Sequence, residues 1–457
     1  MALTKPSSGD PGYSGGTKAS VVIGGIVDAI GQMAVNVKSH YGATGDGTTD
    51  DTTAVQNALT AVATGGLVYF PPGTYVISSA LTLTASSGVT LTGQSLTRSV
   101  NAAPPSVLKF TMTGAGDGIT AKGATGLRIA HMALMYTSSS FTGNLVNLTT
   151  NAGTRTTQFV AEDIWAGGSG VSTANSLFKI DGAIGTRFNG LVAFKADHAI
   201  ESDGGNSSQC LIEQPTSTLL DVSFLHNAPN TTTIISPVGE PLSSGAAGFI
   251  LTDSGTTVLN SMVIINPWWG DISASSGAWV SADEVRSLTV LGGYIGYGST
   301  TTVFKCTSSA TARPWRGVRI GPSIQFVDDS SPTGVLFDPG TSTSAHDIEF
   351  EGNQYWSGTN IAARETVPVS NGTNFTCTPA TRSVMVANTG GASTITLPDA
   401  TKYYRHVIKV TRAGTGAGAI TIGASAGNVN GGATATLGGA AGATMILESN
   451  ATDWWGG

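Results

Sequence analysis

Apolar residues recur along the chain with two different periods. Ala54, Val55, Ala58, Leu59 and Val62 return at helical spacing and predict an amphipathic helix of about three turns, which Gly65-Gly66 ends. Everything after it alternates with period two in short runs, beginning with Leu67–Phe70 and Thr74–Ile77 around Pro71-Pro72-Gly73. From about residue 110 to 360 the strands repeat. An apolar position aligns at Ile129, Val160, Phe188, Ile212, Leu259, Val290, Ile320 and Phe350, at intervals of 24 to 31 residues apart from one of 47. A second short strand precedes each, 9 to 16 residues earlier: Asp117–Thr120, Asn144–Thr149, Ser176–Asp181, His198–Asp203, Gly248–Asp253, Ala278–Asp283, Thr302–Cys306 and Gly334–Asp338.

A period near thirty with two or three strands fits a stacked coil, not a four-stranded propeller blade. One coil cannot close a core. Coils stacked about 4.8 Å apart bury a continuous interior. The long interval between Ile212 and Leu259 is read as an inserted loop, about residues 226–247, with Pro229, Pro237 and Pro241. Around Asn360 the rhythm changes. Short alternating strands at Ser383–Val386, Ser393–Leu397, His406–Val410, Ala419–Ile422, Ala433–Leu437 and Thr444–Leu447 predict a compact β-domain. The run Arg412 to Gly418 lacks the Gly-Lys-Ser/Thr ending of a phosphate loop and reads as a hairpin turn.

Composition narrows the function. Charged residues are 11%, Gly numbers 61, hydrophobics reach 40% and the net charge is −7. That suits many strands and tight turns, not disorder. Lys and Arg are scattered singly, so no basic stripe is available for nucleic acid. No apolar run reaches the roughly eighteen residues of a membrane helix, and Met1 to Ser20 shows no secretory signal. Cys210, Cys306 and Cys377 are far apart and read as reduced thiols, not as a disulfide frame or a metal site. No cofactor and no metal are expected. In the Gly/Ser-rich leader, Ile23, Ile26, Val27 and Ile30 share a helical face, giving either a flexible segment or a short docking helix.

One stretch carries a resemblance. Gly42-Ala43, Gly45-Asp46-Gly47, Asp50-Asp51, Ala54, Gln56, Ala58, Phe70-Pro71, Gly73, Tyr75 and Gly93 resemble, in order and spacing, the N-terminal segment of the pectate-lyase-like right-handed β-helix family, common in phage tailspikes. The resemblance implies an all-β chain: a right-handed parallel β-helix (solenoid) with a short N-terminal capping helix and a C-terminal β-rich, sandwich-like domain. The parts are expected at 1–31 (attachment segment), 32–100 (capping helix and first coils), 101–360 (parallel β-helix) and 361–457 (cap, trimerisation or glycan-binding domain). Asp46, Asp50 and Asp51 are assigned turn and cap duty. The ending Asp453-Trp454-Trp455 resembles C-terminal domains of phage tail fibres.

The resemblance also implies a virion tail protein, assembled in host cytoplasm and acting outside the host cell. It would recognise, and in the enzymatic reading depolymerise, a host surface polysaccharide. It would join other tail or baseplate proteins through its N-terminus, without nucleic acid or membrane insertion. Three elongated stacks packing about an axis suggest a homotrimer. The rival is a non-catalytic adhesin or structural spike. A secreted pectinase is disfavoured, because the Asn-x-Asp, paired-Asp and Gly-His-Gly hallmarks of the polygalacturonase-like relatives do not occur in order.

Glycoside cleavage needs two carboxylates about 5 Å apart for retention or 6.5–9.5 Å for inversion. Asp181, Asp203, Asp253, Asp283 and Asp338 end equivalent strands and read as a turn column. Stacking is expected to bring His131 beside Glu162 and Asp163 at one corner, with Asn189 next along and Glu213 a coil further. Glu162 and Asp163 are the candidate acid and base or nucleophile, and His131 the group that tunes them. Asp197-His198 with Glu201 forms a second polar cluster, read as a turn. Trp165, Trp268 and Trp269 are candidate sugar platforms, since indole faces cover pyranose C–H surfaces. Of the neighbours Trp268 and Trp269, at least one should point outward.

Overall fold

The structure is a computed structural model. It describes residues 34–94, 103–168, 176–202, 207–218, 225–226, 230–240, 250–251, 258–270, 278–297, 302–306, 315–321, 324–328, 335–338, 348–350, 355–357, 367–369, 374–377, 381, 383–386, 391–412, 418–438 and 442–456. The leader and its candidate docking helix, with Asp203 and Asp253, lie outside them.

A short strand, Ala34–Asn36, opens the described chain, and two helices follow it. Val37–Tyr41 is capped at both ends: the Asn36 side chain accepts from the Lys38 and Ser39 amides, and Gly42 closes it in the left-handed region at φ 73°. Thr52–Ala61 is the predicted amphipathic helix, burying Val55, Ala58 and Leu59. The three aspartates do the backbone work assigned to them. Asp46 accepts from the Thr48 and Thr49 amides. Asp50 accepts from the Thr52 amide and the Ser78 hydroxyl. Asp51 occupies the helix N-cap position, yet its carboxylate turns back to the Thr44 and Gly45 amides. It ties the turn to the helix start instead of capping the helix.

The strands then stack as parallel coils. A 22-stranded sheet wraps two walls and a 10-stranded sheet forms another. The 10-stranded sheet contains every one of the eight shorter strands read from the sequence, with bounds shifted by a residue or two. Along the opposite wall the register runs Leu91, Ile129, Ala161, Phe188, Ile212, Ile234, Ile264, Val290, Ile320, Phe350. Those from Leu91 to Ile320 are buried and form the core's inner wall.

Three sequence expectations change here. Ala161, not Val160, is the inward residue of its coil; Val160 is half-buried on the outer face. Ile264, not Leu259, holds the next place; Leu259 belongs to the separate pair Val258–Leu259 with Glu284–Val285. The supposed insertion contains a regular coil: Leu225–His226, Asn230–Ile235 and Val238–Glu240 each pair with coils on both sides.

Single left-handed residues make the corners. One column holds Gly126, Gln158, Gly185, Gln209, Thr231 and Ser261, each at positive φ. A second holds His131, Asp163, Gly190, Gln214, Ser236, Asn266 and Gly292, with φ between 48° and 68°. One left-handed residue turns the strand and restarts its alternation, so Glu162 faces out, Ile164 in and Trp165 out. Non-Gly residues pay for this conformation, about 1–2 kcal/mol each, and Asp, Asn and His tolerate it best.

A second core gathers Val384, Val386, Ile395, Ile408, Val410, Ile422, Leu447 and Trp454 between a five-stranded and a four-stranded sheet. This is the sandwich-like C-terminal unit. Tyr404–Arg412 and Ile420–Ala424 lie in different sheets and do not pair with each other, and residues 413–417, read as a hairpin turn, lie outside the described residues. Arg412 is buried and donates to the Gly418 and Leu437 carbonyls. Cys210 and Cys377 are buried free thiols, with burial pushing each up to about 12. Among the described residues no helix is long and apolar enough to cross a membrane.

Candidate functional site

The second left-handed corner carries the candidate residues. Parallel register sets Ala130 opposite Glu162 and Met132 opposite Ile164. His131 therefore lies over Asp163, not over Glu162, one residue away from the alignment drawn from the sequence. The missed Ala161 accounts for the slip. His131 Nδ1 lies 3.3 Å from Asp163 Oδ2, with side chains 34% and 22% exposed.

Glu162 has a different partner. The Arg128 guanidinium, one coil earlier, donates Nε at 3.1 Å and also Nη2 to Glu162 Oε2. These bonds, with the nearby charges of Arg128, His131 and Arg187, hold the Glu162 carboxyl below its ordinary value, against partial desolvation. The motif recurs. Glu162 is followed in its column by Asn189 and Glu213. Arg187 clamps Glu213 with Nε at 2.8 Å and Nη2 at 2.5 Å. Neither arginine was singled out from the sequence. The signal was present: an Arg at one outward position, and a Glu two positions further along on the following coil.

Past the corner, the outward column runs Ala133, Trp165, Val192, Thr216, Val238, Trp268 and Tyr294. Trp165 is half-buried and packs on Phe194, ring centroids 4.1 Å apart. Its indole nitrogen is covered and has no acceptor among the described residues, so it contributes a face and not a hydrogen bond. Trp268 is 41% exposed and stacks on Tyr294 at 6.0 Å and 18°. Trp269 points into the core, where the lack of a side chain at Gly239 makes room for its ring. The expectation that one of the pair faces outward holds for Trp268, and Trp269 is removed from the candidate platform. Four coil steps separate Trp268 from Trp165, about 19 Å at a rise of ~4.8 Å.

The structure thus joins His131, Asp163, Glu162, Asn189 and Glu213 along one ridge and leaves Trp268 further down it. The Asp197, His198 and Glu201 cluster is elsewhere, on the 10-stranded sheet. There Glu201 pairs with Lys179 at 3.7 Å and accepts from Ser176, and burial raises Asp197. Of the turn column, Asp181 accepts from the Thr149 hydroxyl and Asp283 is buried.

These coils define a right-handed parallel β-helix. Residues 34–224 match the family described as rhamnogalacturonase A/epimerase, pectate lyase-like. No curated protein matches the chain. Among solved structures, the tailspike protein of E. coli bacteriophage HK620, in complex with pentasaccharide, is similar with a TM-score of 0.53 and 11% identity, over 93% of this chain and 85% of that one. ORF18 of Geobacillus virus E2 gives a TM-score of 0.45 at 14% identity, over 97% and 79%. Endo-xylogalacturonan hydrolase from Aspergillus tubingensis gives 0.46 at 14%, over 70% and 94%.

Proposed function

We propose that this chain is a phage tailspike or tail-fibre protein that recognises a host cell-surface polysaccharide. The observation that carries the reading is the Trp268–Tyr294 stack. It leaves an exposed flat aromatic face on the same outward column as Trp165, two coils beyond the end of the charged ridge. Sugar rings use both kinds of surface: C–H faces lie on indole, and hydroxyls bond to carboxylates, amides and guanidinium groups. A site spread over several coils suits a polymer better than a monosaccharide. The pectate-lyase-like match and the shared fold of a tailspike solved with a pentasaccharide support the reading. In it, residues 1–31 attach to other tail proteins, residues 361–457 cap or trimerise the stack or bind glycan, and the protein acts as a homotrimer on the virion, outside the host cell.

Cleavage is a second reading, favoured by one observation. An oxygen of Glu162, an oxygen of Asp163 and a nitrogen of His131 all lie within 4.8 Å of one another. Two carboxylates that close fit retention, not inversion. Arg128 keeps Glu162 ionised, which suits a nucleophile or charge stabiliser and not a proton donor. Proton transfer then falls to Asp163 and His131. The test incubates the protein with host capsule or cell-wall glycan and assays binding, reducing ends and unsaturated uronates. Binding that falls with Trp268→Ala supports recognition, and product release that falls with Glu162→Gln supports cleavage. Binding without products leaves an adhesin. No binding to any host glycan overturns the proposal.

A further inference from the structure

We propose that His131, Glu162 and Asp163 form a binding site for a divalent transition-metal ion of the zinc class. The three side chains offer one imidazole nitrogen and two carboxylate oxygens, all within 4.8 Å of one another. Zinc takes this mixed nitrogen and oxygen set, and three protein donors with an open position is its common exchangeable arrangement.

Two features go beyond proximity. The first is a distance. His131 Nδ1 and Asp163 Oδ2 are 3.3 Å apart. A charge-assisted N–H···O⁻ bond closes to about 2.7–2.9 Å. Two donors on a tetrahedral ion with bonds of ~2.0–2.1 Å stand about 3.3–3.4 Å apart. The spacing of this ion pair also accommodates two ligands of one ion, and the coil rise sets it, because both residues occupy the same left-handed corner on successive coils. The second is the way Glu162 is clamped. Arg128 puts both its bonds on Oε2, leaving Oε1 available. An arginine that fixes one carboxylate oxygen while the other binds metal is an outer-shell arrangement that orients a ligand. All three side chains are partly exposed, so an ion can enter from solvent and keep water or a hydroxyl as its remaining ligand.

The inference goes beyond the glycan reading and is tested without glycan. The full chain is titrated with Zn²⁺ by calorimetry, and with Co²⁺ followed by its visible d–d absorption. One saturable site per chain with a tetrahedral cobalt spectrum is expected. Asp163→Asn and His131→Ala should each weaken binding at least tenfold. Cys210→Ser, a buried thiol remote from the corner, should leave it unchanged. Asp163→Asn keeps both shape and tolerance of the left-handed backbone, so it decides the matter if His131→Ala fails to fold. The proposal is overturned if no saturable site is found, if both corner variants bind as the parent does, or if Cys210→Ser abolishes binding.

Discussion

His131 and Asp163 stand one above the other, 3.3 Å apart at their nearest nitrogen and oxygen, at the same left-handed corner of successive coils. Thirty-two residues of chain separate them, and a single coil rise brings them together. The ridge they share with the neighbouring column of Glu162, Asn189 and Glu213 is a product of stacking. Its chemistry therefore depends on the register of the whole wall.

The corners can be tested by their backbone cost. Gln158 is exposed at φ 57°, between Gly126 and Gly185 in its column. Gln158→Gly should stabilise the protein by about 0.5–1 kcal/mol, because relief of the left-handed strain outweighs the extra chain entropy. Thermal unfolding reads this as a raised midpoint. Gly126→Ala should lower it.

Gly239 tests the inward placement of Trp269. A Cβ at Gly239 would fall inside the Trp269 ring. Gly239→Ala should therefore cost about 1–3 kcal/mol and shift tryptophan fluorescence toward that of an exposed indole. Gly239→Ala with Trp269→Leu should recover part of the loss, and unchanged stability of the single variant would contradict the packing.

The extra coil has its own test. Ile234 is fully buried between Ile212 and Ile264. Ile234→Ala should destabilise by about 2–4 kcal/mol in denaturant unfolding, as a core residue does. A residue in a surface insertion would cost less than about 0.5 kcal/mol.

How much of this was legible follows from the same residues. Strand existence and two of the three walls were readable, because Ile129, Phe188, Ile212, Val290 and Ile320 are large and recur near thirty residues. The exact register was less so. Ala161 is a small core residue beside a bulkier outward Val160, and periodicity follows bulk. Pro229, Pro237 and Pro241 look like loop signals. Yet Pro215, Pro237 and Pro267 each follow a corner residue, where proline suits the restart of a strand. The site was half legible. His131, Glu162 and Asp163 stood out as polar residues out of register, but the true pairings, His131 with Asp163 and Arg128 with Glu162, needed the stacking to be known to one residue.

The Arg128–Glu162 pair predicts an acid response. Glu162 has its folded value depressed, so its contribution is fully present above the ordinary carboxylate range and is lost as pH falls through the folded value. Glu162→Gln should lower stability at pH 7 and flatten the acid limb of the stability profile. The side chains are 39% and 30% exposed, so the effect should be modest and shrink in high salt. Unfolding midpoints from pH 7 to pH 3, at low and high salt, check this.

Cross-linking reads the corner register directly. Residues stacked across neighbouring coils bring their Cα atoms to about 4.8 Å, within the disulfide window of about 4.4–6.8 Å. With His131→Cys and Asp163→Cys combined, mild oxidation should give an intrachain disulfide bridging 131 and 163, seen by mass spectrometry of the non-reduced digest. His131→Cys with Glu162→Cys should cross-link poorly. The reverse preference, or no cross-link in either, would contradict the stacked corner on which the site is built.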